Sequence, residues 1–116
     1  MVSDQDTAAA LGSGDVPVLA TPRLIALCER ACLAAIVGRF PPEQTTVGMR
    51  VQVDHMQPTG IGSEVVAEAV LEKTEGRRLM FHVSASDRAG LIATGRITRV
   101  VVDRDRFLEK VCSPET

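Results

Sequence analysis

The hydrophobic pattern of this chain changes period once. Between Leu24 and Ile36 almost every residue is apolar, with only Glu29 and Arg30 interrupting, which is the signature of a helix buried on more than one side. Thr21 followed by Pro22 predicts its start, with Thr as N-cap and Pro at the first helical position. Gly38, with Pro41-Pro42 beyond it, predicts its end after about Val37. From there the period becomes two. Thr46 to His55, Glu64 to Lys73, Arg78 to Ser86 and Leu91 to Asp103 alternate as strands, separated by turns at Pro58–Gly62, Glu75-Gly76 and Asp87–Gly90. Residues 1–15 are weakly patterned and are expected to form a flexible N-terminal segment. Residues 16–107 should be one domain, and 108–116 a charged C-terminal tail.

A long helix that is apolar around most of its circumference is best satisfied by a curved antiparallel sheet wrapped around it. The expected class is therefore α+β, in the hotdog arrangement, with open sheet edges that favour pairing into a dimer. Two ionisable residues sit in costly places. Glu29 lies within the apolar helix. Counting by twos puts His55 on the same strand face as Val47, Met49, Val51 and Val53. A carboxylate and an imidazole both aimed at apolar surfaces are candidates for one active site, with Glu29 the natural carboxylate partner of His55. Asp54 is adjacent in sequence but points to the opposite face.

Composition narrows the options. At 116 residues the chain holds one core. It has three Phe and no Trp or Tyr, so that core must be aliphatic. A net charge of −2 and the lack of aromatic platforms argue against nucleic acid. No apolar stretch reaches membrane-spanning length and the N-terminus lacks a basic signal-like start, which gives a cytoplasmic, membrane-free expectation. Cys28 and Cys32 lie four apart on the helix and Cys112 is distant. That spacing reads as reduced thiols, two of them buried, and no metal-ligand cluster, Gly-rich phosphate loop or nucleophilic Ser motif is present.

Thr21-Pro22-Arg23-Leu24-Ile25, Cys28-Glu29-Arg30-Ala31-Cys32, Thr46-Val47-Gly48, Val53-Asp54-His55, Gly76-Arg77-Arg78-Leu79 and Val101-Val102-Asp103-Arg104 together resemble the fluoroacetyl-CoA thioesterase-like family of hotdog proteins. The resemblance spans roughly residues 16–107. It implies hydrolysis of an acyl-CoA thioester, with CoA entering as part of the substrate and no other cofactor or metal. It also implies a catalytic constellation of Thr21, Glu29 and His55, with Gly48 and Arg99 binding ligand. The family carries an extra strand and an aromatic lid ahead of the Thr. Here 20 residues precede Thr21 and none is aromatic, so the resemblance carries the chemistry rather than a fluoroacetyl preference.

Each residue also has an ordinary reading. Glu29 as general base or as acyl-accepting nucleophile competes with a rim carboxylate paired to Arg30 or Arg23. Thr21 as a positioning hydroxyl competes with, and is compatible with, a simple cap. Gly48 as a point of close ligand approach competes with a bulge, and Arg99 with a solvated strand residue. The expected function is a homodimeric thioesterase for a small or medium acyl-CoA. The alternative is a hotdog protein that binds acyl-CoA without cleaving it, as sensor or carrier.

Overall fold

The structure, a computed structural model, describes residues 1–112. A 3-10 turn at Asp4–Asp6 and a short helix α1 (Ala8–Leu11) precede the long helix α2 (Thr21–Ala35). Strands β1 (Gln44–His55), β2 (Val66–Glu75), β3 (Arg78–Asp87) and β4 (Gly90–Asp103) follow, then helix α3 (Arg104–Cys112). The strands form one antiparallel sheet in the order β1-β4-β3-β2. This is the expected α+β hotdog architecture, with α2 packed mainly on β2 and β3.

The core is the inward face of the sheet against one stripe of α2. Leu24, Cys28 and Cys32, spaced by four, are fully buried against Phe81, Val83, Ala93 and Ile97. The alternation read from the sequence holds in β3, where Leu79, Phe81, Val83 and Ala85 face inward and His82 lies outward beside Thr94. Gly95 is required by this packing, because a Cβ there would collide with the backbone of Gln52 and Val53 on β1. The sheet does not cover the whole helix: Leu33 stays 42% exposed.

Four expectations need correction. The N-terminal residues fold back rather than hang free. Val2 is buried in the core, exchanges backbone hydrogen bonds with Gly62 and Ser63, and Ala20 N–H donates to Asp6 O at 2.8 Å. An ion pair between Arg23 and Asp6 at 3.1 Å fastens the same segment to α2. The N-cap of α2 is Ala20, with no side-chain cap bond, and Thr21 is already helical. Its hydroxyl is drawn to His55 instead. At the other end α2 stops at Ala35 and the chain leaves through Gly38, whose φ of +80° suits only glycine well. The expected tail at 108–116 begins inside α3; residues 113–116 lie outside the described residues.

Candidate active site

Strand β1 carries a bulge. Gly48 pairs with Arg99 and Arg50 with Thr98, leaving Met49 as the extra residue. The bulge reverses the phase of alternation. His55 therefore shares its face with Val53, Val51, Gly48 and Thr46, and not with Met49 and Val47 as an unbroken count by twos predicts. The opposing β4 residues on that face are Ala93, Gly95, Ile97, Arg99 and Val101. The reversal puts Thr46 and Gly48 on the side that faces α2, together with Arg99 and His55.

Two polar pairs result. At the start of α2 the Thr21 hydroxyl lies 2.9 Å from His55 Nδ1. The Nε2 of the same ring is buried without a partner. Whichever way the proton sits between Thr21 and Nδ1, a neutral ring leaves Nε2 in the opposite role, and no protein group among the described residues meets it. A cleft of about 290 Å³ opens there, lined in part by Thr21, His55, Met56, Gln57 and Pro58.

About two turns further along α2, roughly 12 Å by helical rise, Glu29 meets Arg99. Arg99 Nη1 donates to Glu29 Oε2 at 2.8 Å, with the guanidinium side chain 8% exposed and the carboxylate 33%. Arg99 Nε donates to Thr46 Oγ1 and Nη2 to Thr46 O, each at 2.9 Å. Gly48 makes room for this arrangement, since a Cβ on it would lie 2.7 Å from Glu29 Oε2. Burial pushes the Cys28 thiol up. It raises Cys32 to about 11, against the opposing pull of Arg99. Neither thiol is a nucleophile near neutral pH. Among the described residues no group of His, Cys, Asp and Glu could hold a metal ion, and no helix is long and apolar enough to cross a membrane.

The structure thus brings Thr21 to His55, and Glu29 to Gly48 and Arg99. It does not join Glu29 to His55, and the expected carboxylate–imidazole contact is replaced by the Thr21–His55 bond. Arg99, expected to reach the ligand, spends three donors on protein acceptors. Thr46 was missed as a site residue. The available signal was its place two residues before Gly48 on the same strand face.

A long helix carrying a carboxylate, packed against an antiparallel sheet with a histidine on the facing strand, defines a hotdog fold with candidate polar groups between helix and sheet. The model of the fluoroacetyl-CoA-specific thioesterase family, FlK, matches residues 2–105. The fluoroacetyl-CoA thioesterase of Streptantibioticus cattleyicolor is 35% identical over 94 residues, 81% of this chain and 68% of that one. A solved structure of the fluoroacetyl-CoA thioesterase FlK superposes with a TM-score of 0.90 at 31% identity, covering 97% of this chain and 90% of the other. A variant of FlK in complex with fluoroacetate and CoA gives 0.84 at 31%, covering 91% and 90%. The chain belongs to the fluoroacetyl-CoA-specific thioesterase family, and it is a thioester hydrolase.

Proposed function

We propose that the protein hydrolyses a small or medium acyl-CoA thioester to the free acid and CoA, as a homodimer and without a bound cofactor. Glu29 and His55 carry the chemistry, Thr21 orients the imidazole, and Gly48 with Arg99 shapes the carboxylate's setting. The observation that carries this reading is the inward-facing pair of reactive groups. Glu29 is held by one carboxylate oxygen only, and His55 has a buried nitrogen with no partner. Water attack on the thioester carbonyl requires a base to take its proton and an acid to protonate the departing thiolate. A carboxylate and an imidazole supply both roles. Glu29 serves equally well if it attacks the carbonyl itself and the resulting anhydride is then hydrolysed.

Support for the substrate range comes from a hollow of about 250 Å³ beside Thr46, with Leu33, Ile36, Val37 and Phe40 on its apolar side and Gln44 and Thr45 on its polar side. Its apolar walls suit a hydrocarbon acyl group better than a charged one. The relative crystallised with fluoroacetate and CoA supports CoA as the thiol carrier.

The test is thiol release from a panel of acyl-CoAs by the wild type and Glu29→Gln. Glutamine keeps an acceptor for Arg99, so the fold should hold while turnover falls by about 10²-fold or more. Full turnover in that variant would remove Glu29 from the mechanism. Tight binding without thiol release across the panel would instead mark the protein as a carrier or sensor.

A further inference from the structure

We infer that Thr46 is a positioning residue of this site, acting through Arg99 to fix which oxygen of Glu29 reacts. The inference rests on the catalytic role proposed for Glu29 and adds a residue and an atom to it. Thr46 is 7% exposed and Arg99 7%. Thr46 holds the guanidinium at two points, its hydroxyl accepting from Nε and its carbonyl from Nη2. A guanidinium is a rigid planar fork, so fixing Nε and Nη2 also fixes where Nη1 points. Nη1 points at Glu29 Oε2, 2.8 Å away. Gly48 stands beneath that same oxygen with no side chain to displace it. Oε2 is therefore pinned between an arginine and a glycine, while Oε1 has no such restraint and carries the lone pair that meets water or the thioester carbonyl.

The hydroxyl of Thr46 is the one side-chain element of this grip that can be removed without moving charge. Valine keeps the β-branched shape that suits the strand and deletes the acceptor. Arg99 then keeps its bond to the Thr46 carbonyl position and loses the second anchor, so its plane can rotate and release Oε2. A misplaced reacting group lowers the rate of the chemical step and leaves substrate binding intact.

The experiment measures kcat and KM for Thr46→Val, Thr46→Ser and Thr46→Val combined with Glu29→Gln. Thr46→Val should lower kcat by about tenfold with KM within about twofold, and Thr46→Ser should restore it. In the Glu29→Gln background Thr46→Val should cost nothing further, because its effect runs through the carboxylate. If Thr46→Val does not fold, Thr46→Ala is read in its place against Thr46→Ser. Wild-type kcat in the valine or alanine variant overturns the inference, as does an equal loss in the Glu29→Gln background. Either result leaves the catalytic role of Glu29 standing, which Glu29→Gln alone tests.

Discussion

Two neighbours constrain one oxygen of Glu29: Arg99 donates to Oε2, and Gly48 stands against the same atom. Gly48 is the more informative of them. Alanine at this position would bring a Cβ to 2.7 Å from Oε2, and the carboxylate cannot yield easily while Arg99 holds it. Gly48→Ala should therefore lower kcat about tenfold or more. The same clash strains the Arg99–Glu29 pair, so thermal stability should fall by about 1–2 kcal/mol, too little to unfold the protein at assay temperature. Paired kinetics and melting curves check this, and a variant that loses activity only by unfolding would refute it. Thiol chemistry separates cleanly from the site as well. Cys28 and Cys32 are fully buried with raised thiol values, whereas Cys112 is exposed. A thiol reagent at pH 8 should label Cys112 alone in the native protein and all three cysteines after denaturation. Rapid native labelling of a second cysteine would contradict the packing of α2. At this scale the sequence was a fair guide to identity and a poor one to partners. Glu29 and His55 stood out by pattern, and Thr21, Gly48 and Arg99 entered through the family resemblance. Their hydrogen bonds depend on tertiary distances that no spacing encodes.

Element by element, the helix and all four strands were legible because their periods, 3.6 and 2, are strong local signals. The bulge in β1 was not. Met49 looks like one more apolar residue in an alternating run, and only the register against β4 reveals it as an insertion. That single residue decides the parity of everything before it and so moves Thr46 and Gly48 to the face that meets α2. Arg99 was recoverable by the same logic: it lies between Ile97 and Val101 on the buried face of β4, where a charged residue needs a partner. The start of α2 shows competition between two uses of one hydroxyl. Thr21 looks like a cap in sequence, but its hydroxyl serves His55, and the helix begins without a side-chain cap.

At the scale of the whole molecule, the two polar pairs lie apart within one chain. Thr21 with His55 and Glu29 with Arg99 are separated by roughly 12 Å along α2, and the hollows beside His55 and beside Thr46, about 290 and 250 Å³, are each small for an acyl-CoA. Ligand sites usually span about 300–1,000 Å³. Strand β1 is an edge of the sheet, and Met49, Val51, Leu33 and Val37 leave apolar surface exposed near it. Antiparallel pairing of two β1 edges across a two-fold axis would bring the His55 end of one strand toward the Gly48 end of the other. Glu29 of one subunit would then face the partner's His55, giving the orphaned Nε2 a complete site to serve. Mixing Glu29→Gln and His55→Ala subunits tests this directly. Each variant alone should be nearly inactive. Statistical heterodimers should recover about a quarter of wild-type activity, because one of their two sites draws both intact residues from opposite subunits. If each site were built within one subunit, every site in the mixture would carry a lesion. No recovery, in a mixture shown by mass to contain heterodimers, would place the whole reaction inside a single chain.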